Sequence, residues 1–165
     1  MRILVFLHGT AIMHRTAVGR PRAERVRQAR QRDRSVLDFA SYVPTEAAVE
    51  KVRTWHRHGA AICYLSSHQD PADVELDRAV LTAHGFPAGT LFSRGPGESY
   101  AEAARRAAAD IVVEDDCESI GGRSQTIAAG LAAAPGRAVT SVIVPEFGGL
   151  AQLPDDPGEL TGHGT

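Results

Sequence analysis

A histidine and a run of acids each follow an apolar segment that is typical of a buried strand. His8 stands in RILVFLHGT, and Glu114, Asp115 and Asp116 stand in DIVVEDDCESIGG. Imidazole suits proton transfer near neutral pH because its unperturbed pKa is about 6.5. Open α/β sheets bind their ligands at the carboxyl ends of strands, where these side chains would lie. The sequence therefore indicates a polar site with an acid/base group at one edge of a sheet.

Each of these groups also has a purely structural interpretation. His8 could hydrogen-bond a neighbouring backbone group, and Asp115 and Asp116 could cap a helix, since acids favour helix N-termini. His14 and His68 could join them as ligands of a transition metal, because imidazole and carboxylate suit such ions. The spacing of these residues in the sequence gives that set no support, so we assign no metal ligand.

The elements that must position these groups alternate along the chain. After the first strand, short apolar or β-rich runs alternate with alanine-rich segments of helical period, and the runs are AAICYLS (60–66), GTLFS (89–93), DIVVE (110–114) and AVTSVIV (138–144). Runs that are apolar throughout suit strands covered on both faces. We therefore predict an α/β fold, a three-layer sandwich around a mainly parallel, five-stranded, Rossmann-like sheet.

Length and composition indicate one domain with appendages. The chain has 165 residues, of which 43% are hydrophobic, and single domains hold about 100–200 residues. We place the α/β domain at residues 1–153, with a small cap-like insertion at about 13–44 after the first strand. Residues 154–165 are rich in Gly, Pro and acids, so we expect a flexible C-terminal tail.

Charge and cysteine content exclude several protein classes. The net charge of -2, and an arginine-dense segment at 15–34 that lacks interleaved aromatic residues, give no expectation of nucleic-acid binding. The apolar start is far shorter than the ~20 residues that span a membrane. Cys63 and Cys117 form no CxxC pair, so we expect a cytoplasmic protein. Adjacent acids raise the pKa of a thiol at Cys117, which argues against a nucleophile there.

The order of these signals resembles the haloacid dehalogenase (HAD) superfamily, whose members are mostly phosphohydrolases. The resemblance spans residues 1 to about 145. The first strand of the family ends in Asp-x-Asp-Gly-Thr, and the matching segment here is FLHGT. Phe6 thus stands in place of the nucleophilic aspartate, and His8 in place of the acid/base aspartate. LHGT and EDDCESIGG also resemble an uncharacterised branch of the superfamily.

The resemblance implies a role for further residues. Thr10 and Ser66 would hold the substrate with their hydroxyl groups, and Arg94, or else Arg105, would supply the family's cation. Glu114, Asp115 and Asp116 would bind magnesium, and arginines of the insertion could meet an anionic substrate. The resemblance also makes the ends of the first and fourth strands neighbours, so that Asp115 or Asp116 could orient His8.

The loss of the nucleophile determines the function that we expect. A phenyl ring can neither attack phosphorus nor bind Mg²⁺, so we expect weak magnesium binding at most and no other cofactor. Our hypothesis is non-phosphatase acid/base catalysis by His8 with Asp115 or Asp116, on a small polar or anionic substrate held by side chains of Thr10, Ser66 and Arg94. The alternatives are an inactive module that binds a phosphorylated metabolite or nucleotide, and a magnesium-dependent phosphatase.

Overall fold

A five-stranded parallel sheet forms the centre of the molecule. The structure is a computed structural model that describes residues 1–133 and 138–162. The strands lie in the order β5-β4-β1-β6-β7, and all four pairings are parallel. Their bounds are β1 Arg2–Phe6, β4 Ala61–Leu65, β5 Thr90–Phe92, β6 Ile111–Asp115 and β7 Thr140–Val144. The predicted five-stranded sheet is confirmed, and β1 pairs with both β4 and β6.

Helices cover both faces of this sheet. Ile3 and Val5 of β1 belong to a core on one face, and Leu4 belongs to a core on the other, because successive side chains of a strand point to opposite faces. The first core includes Trp55, and the second includes Ala103. The helices are α1 Arg22–Gln31, α2 Ala48–Arg57, α3 Pro71–Ala83, α4 Tyr100–Arg106 and α5 Ile127–Ala132. The predicted three-layer α/β sandwich is confirmed.

The helix starts are stabilised by local side chains. The Asp70 carboxylate accepts a hydrogen bond from the backbone of the first turn of α3. Ser99 and Glu102 form a capping box at the start of α4, in which each side chain accepts a backbone N–H of the other residue. Helix α3 is positioned so that one of its buried residues, Asp77, reaches the sheet edge.

A small subdomain lies between β1 and α2. Its strands β2 (Ile12–Met13) and β3 (Val43–Pro44) form an antiparallel pair, and α1 lies between them in sequence. A third hydrophobic cluster joins this segment to the loop after β7, because Val26 of α1 packs in one cluster with Phe147. The insertion therefore covers the carboxyl edge of the sheet, where we expected the site.

The C-terminal segment differs from the expected flexible tail. Residues Pro157–Gly162 form a 3-10 helix, and Leu160 is fully buried in the core that contains Trp55. The indole Nε1 of Trp55 also donates a hydrogen bond to the Pro154 carbonyl at 2.9 Å. The prediction of a flexible tail from residue 154 is therefore corrected, because a composition rich in Gly, Pro and acids concealed a leucine that the core buries. Residues 163–165 of that tail lie outside the described part.

No helix in the described residues is both long enough and apolar enough to cross a membrane.

Candidate active site

A cavity of about 440 Å³ lies between the carboxyl ends of the strands and the insertion. Aromatic side chains supply much of its surface, among them Phe6, Phe39, Tyr42, Tyr100 and Phe147. Polar side chains also line the cavity, and they include His8, Ser67, His68, Asp115 and Glu146. The volume is in the range of small-molecule sites, about 300–1,000 Å³.

We call His8, Ser67, His68 and Asp77 the histidine wall. His8 Nε2 lies 3.0 Å from Asp77 Oδ1, and the Ser67 hydroxyl lies 2.8 Å from His8 Nδ1. The three side chains thus form a continuous hydrogen-bonded chain from a hydroxyl through an imidazole to a carboxylate. Ser67 follows β4, His8 follows β1, and Asp77 belongs to α3, so that three separate elements build the chain.

Asp77 is held as a carboxylate although it is only 1% exposed. Burial raises the pKa of Asp77, but hydrogen bonds from His68, His8 and the Ser66 hydroxyl outweigh this effect and hold the pKa well below its usual range. An ionised carboxylate only accepts hydrogen bonds. His8 Nε2 must therefore carry a proton and donate it to Asp77, which leaves Nδ1 free to accept from Ser67.

His68 shares the same carboxylate. Its Nδ1 lies 3.1 Å from Asp77 Oδ2. Burial lowers the pKa of His68, but the hydrogen bond and the charge of Asp77 outweigh burial and raise it. The ring packs against Phe39 at 4.1 Å and against His8 at 4.4 Å, measured between ring centroids. These contacts fix both imidazole rings at the cavity surface.

We call Asp115, Asp116 and Glu146 the carboxylate wall. Asp115 accepts hydrogen bonds from the Thr10 hydroxyl at 2.8 Å and from the Cys117 backbone N–H at 2.9 Å. Burial, followed by the negative charge of Glu146, raises the pKa of Asp115 to about 7. Burial likewise raises the pKa of Glu146, whose oxygens accept the backbone N–H and hydroxyl of Ser119. Within this wall, Asp115 therefore retains a proton at a higher pH than an ordinary aspartic acid does.

Gly9 allows the two carboxyl groups of this wall to approach the strand end. Its φ of +89° lies in the left-handed region, and a Cβ there would stand 2.7 Å from Asp115 Oδ2 and 3.1 Å from Glu146 Cγ. Any other residue would clash with the carboxylate wall and would also adopt an unfavourable backbone conformation. The Gly of the HGT segment is therefore required by packing.

The structure brings together some of the predicted site residues. Among the described residues, His8 and Asp115 both line the cavity, but the hydrogen bonds of His8 go to Asp77 and Ser67. The expected pairing of His8 with Asp115 or Asp116 is therefore corrected. Asp116 instead accepts the Glu146 backbone N–H at 3.0 Å and lies beside an arginine of the insertion, Arg22, at 3.3 Å.

The three predicted substrate-binding residues do not line the cavity within the part of the chain that the structure describes. Thr10 and Ser66 are fully buried, and their hydroxyls donate to Asp115 and Asp77. The guanidinium of Arg94 stacks over the Tyr100 ring at 4.1 Å. Arg105, the alternative cation, donates to the Leu131 carbonyl. Thr10 and Ser66 thus support the carboxyl groups of the two walls.

Other candidates have structural partners. Glu114 accepts the backbone N–H groups of Ile127 and Ala128, and so caps α5. His14 lines the cavity but lies 3.0 Å from the Gln28 side chain, apart from His8 and His68. From the arginine-dense segment, Arg30 and Arg32 reach the cavity.

The sequence analysis did not identify Ser67, Asp77 or Glu146. Glu146 follows β7 as Asp115 ends β6, so the rule that ligands bind at the carboxyl ends of strands could have found it. Ser67 is adjacent to the predicted Ser66. Asp77 lies inside a helix, and its contact with β1 is long-range, so no local pattern marks it.

The carboxylate wall does not fit the magnesium ion that the family resemblance implies. Oxygens of its three acids lie within 4.8 Å of one another, and carboxylate oxygens are the ligands that Mg²⁺ prefers. However, Asp115 is partly protonated at neutral pH, Asp116 is paired with Arg22, and Phe6 offers no oxygen. As they are arranged, these residues are a poor magnesium site.

Comparisons with known proteins show the fold. No family model and no curated protein matches the chain. A class C acid phosphatase from Bacillus anthracis, solved with tungstate bound, is 13% identical with a TM-score of 0.56, over 90% of this chain and 68% of that one. A HAD family hydrolase from Deinococcus radiodurans R1, with bound phosphate and sodium, is 13% identical with a TM-score of 0.49, over 99% and 97%. The likeness to the acid phosphatase structure confirms the predicted HAD-like fold.

Proposed function

We propose that this HAD-fold protein hydrolyses small esters, with Ser67 as the nucleophile and His8 as its general base. The observation that carries the proposal is the hydrogen-bonded chain from the Ser67 hydroxyl through His8 to Asp77 at the cavity surface. A nucleophile, a base and a group that orients the base within hydrogen-bonding distance are the geometric requirements of hydroxyl activation.

The protonation states support the direction of proton transfer. Asp77 is an anion that accepts from His8 Nε2, so His8 Nδ1 has a lone pair directed at the Ser67 hydroxyl. His8 Nδ1 can take the hydroxyl proton while Ser67 Oγ forms a bond to the carbonyl carbon of an ester. The bond to the leaving alcohol then breaks, and the alcohol leaves with the proton that His8 took from Ser67. Water then attacks the acyl-serine, which releases the carboxylic acid and restores the Ser67 hydroxyl.

Asp115 is our candidate for a second proton donor. It lines the same cavity as His8, and its raised pKa of about 7 keeps a proton available near neutral pH. The hypothesis of acid/base catalysis by His8 and Asp115 is thereby retained, but with the two residues in separate hydrogen-bonded groups that line one cavity. We propose no catalytic role for Asp116, which is paired with Arg22.

The cavity surface supports an ester with an apolar body over a phosphate compound. Phe6 and Tyr100 pack edge to face, with 5.4 Å between ring centroids, and both line the cavity. The hydroxyls of Thr10 and Ser66, which were expected to hold a phosphate, donate to buried carboxylates instead.

The same contacts weigh against an inactive module that binds phosphorylated metabolites or nucleotides. Calorimetric titration with a panel of phosphate compounds tests that alternative. We expect no binding, and binding to any of them at micromolar concentration would favour the alternative.

The decisive experiment tests the reactivity of Ser67. A fluorophosphonate probe, which modifies activated serines, should label Ser67 at one per chain, with the site mapped by mass spectrometry. Hydrolysis of p-nitrophenyl acetate should fall by about 10³-fold or more in Ser67→Ala and in His8→Ala. Ser124→Ala changes an exposed serine and is the matched control.

Two results would contradict the proposal. One is a parent protein that the probe does not label, and the other is a Ser67→Ala variant that hydrolyses the ester as fast as the parent. Thermal unfolding of each variant establishes that a loss of activity is not a loss of fold.

A further inference from the structure

We infer that His8, His68 and Asp77 also form a binding site for a divalent transition-metal ion such as Zn²⁺ or Co²⁺. One ligand atom from each residue lies within 4.8 Å of the others. Two imidazoles and one carboxylate are a ligand set that suits first-row transition metals. This ligand set differs from the metal set that the sequence suggested. Asp77 takes the place of Asp115, and His14 is instead hydrogen-bonded to Gln28.

Each imidazole nitrogen lies close to an oxygen of Asp77, at a spacing near that of two ligands on one ion. His8 Nε2 is 3.0 Å from Asp77 Oδ1, and His68 Nδ1 is 3.1 Å from Asp77 Oδ2. Ligands of a tetrahedral zinc ion lie about 2.0–2.1 Å from the metal and therefore about 3.3 Å from one another. The two nitrogens contact different oxygens of the Asp77 carboxylate, so an ion bound by both imidazoles would be held by both carboxylate oxygens, or by one oxygen after the carboxylate turns.

Neighbouring groups hold all three ligands in place. The Ser66 hydroxyl donates to Asp77 Oδ2 at 2.5 Å and accepts the backbone N–H of His68 at 2.9 Å. Nδ1 of the His8 ring is hydrogen-bonded to the Ser67 hydroxyl, and the His68 ring packs on Phe39. Outer contacts of this kind orient metal ligands and increase metal affinity.

The site would present an open coordination position to the cavity. His8 and His68 both line the cavity, whereas Asp77 lies behind them at 1% exposure. Three protein ligands leave a fourth position of a tetrahedral ion for a small molecule. The carboxylate wall, which offers oxygen atoms alone, is chemically distinct from this set.

Metal binding at His8 Nε2 and serine activation at His8 Nδ1 exclude each other, because a neutral imidazole ring carries only one proton. If a metal ion takes the lone pair of His8 Nε2, the ring proton must lie on Nδ1, which then donates to the Ser67 oxygen. His8 can no longer accept the Ser67 proton in that state. The metal site itself does not depend on the proposed function, but this competition does.

Titration of the full chain with metal tests the inference. We expect one Zn²⁺ per chain at micromolar concentration by calorimetry, and visible absorption bands of Co²⁺ with nitrogen and oxygen ligands. His68→Ala should weaken Zn²⁺ binding by at least about tenfold. His84→Ala, which removes an exposed histidine, and Glu146→Gln, which alters the carboxylate wall, should bind as the parent does. If His68→Ala does not fold, His68→Gln replaces it.

The inference is overturned if the parent binds no Zn²⁺, or if the His68 variant binds it as tightly as the parent. Labelling of Ser67 by the fluorophosphonate separates this inference from the proposed function. Suppression of labelling by Zn²⁺ in the parent, but not in His68→Ala, supports both. Zn²⁺ binding that depends on His68, in a protein whose Ser67 is never labelled, supports the metal site and contradicts the proposed function.

Discussion

Asp77 in the histidine wall and Asp115 in the carboxylate wall are almost equally buried, at 1% and 2% exposure. Asp77 is surrounded by two imidazoles and a hydroxyl, and these donors hold its pKa well below the usual range. Asp115 receives one hydroxyl and one backbone N–H but faces the negative charge of Glu146, and its pKa rises to about 7. Burial favours the neutral form of both acids, so the neighbouring groups decide which one is ionised.

In the proposed function, this difference gives the two walls different roles. An ionised Asp77 would fix the tautomer of His8, so that its Nδ1 can accept the Ser67 proton. A protonated Asp115, which lines the same cavity, would be the proton donor. Two carboxyl groups whose environments move their pKa values apart are typical of acid/base enzymes.

The largest expected effect contrasts the same substitution in the two walls. Asp77→Asn should lower the free energy of unfolding at pH 7.5 by about 3–5 kcal/mol, because it removes the charge that His8 and His68 share. Asp115→Asn should change it by less than about 1 kcal/mol, because it removes a carboxyl group that is disfavoured there. Urea denaturation of the parent and both variants measures this. Equal losses in the two variants would contradict the assigned charge states.

A somewhat smaller effect concerns the approach of the carboxylate wall to Gly9. Gly9→Ala should cost about 3 kcal/mol, since its Cβ would stand 2.7 Å from Asp115 Oδ2 at a φ of +89°. Gly97→Ala is the matched control, because Gly97 has a φ of +74° and open space around it, and it should cost only about 1 kcal/mol. If thermal or urea unfolding gave the two variants the same stability, the close approach of Asp115 to Gly9 would be disproved.

A third prediction concerns pH, because Asp115 and Asp77 should change the free energy of unfolding in opposite directions as pH rises. The pKa of Asp115 is 3.8 in an ordinary aspartic acid and about 7 in the folded protein. As pH rises from about 4 to 7, the unfolded chain therefore loses this proton before the folded protein does, and the free energy of unfolding should fall. Asp77 has the opposite sign, and its contribution is lost as pH falls through its depressed pKa.

The comparison of the parent with Asp115→Asn isolates the loss of stability that the ionisation of Asp115 causes as pH rises. The free energy of unfolding of the parent relative to this variant should fall by roughly 2 kcal/mol between pH 5 and pH 8. Urea denaturation across that range measures the difference. A difference that does not vary with pH would show that Asp115 ionises normally in the folded protein.

The fold could be predicted from the sequence because every strand of the parallel sheet is a short, nearly continuous apolar run. His8 and Asp115 could also be placed at the right edge, because both follow strands. The hydrogen-bond partner of His8 could not be predicted, because β1 lies between β4 and β6 and His8 could contact residues after either strand. In the structure, His8 contacts Ser67, which follows β4, and Asp77 in α3.

The residues beyond the strands were harder to predict for the same reason. Asp77 resembles any acid on a helix, and only long-range packing places it behind two histidines. Leu160 stands in a segment with the composition of a loose terminus, yet it is fully buried against the sheet. Such contacts are decided by tertiary packing, which local composition and period do not report.

The smallest expected effect is that of magnesium on the parent, and it tests whether Phe6 separates this site from phosphoryl transfer. The parent should release no phosphate from an aryl phosphate with or without Mg²⁺, because the phenyl ring provides no nucleophile and no ligand. Phe6→Asp adds a carboxylate on the cavity surface and should strengthen Mg²⁺ binding measured by calorimetry, whereas Phe6→Leu should not. Magnesium-dependent phosphate release by the parent would mean that another carboxyl group attacks phosphorus. The roles assigned to the histidine wall and the carboxylate wall would then be wrong.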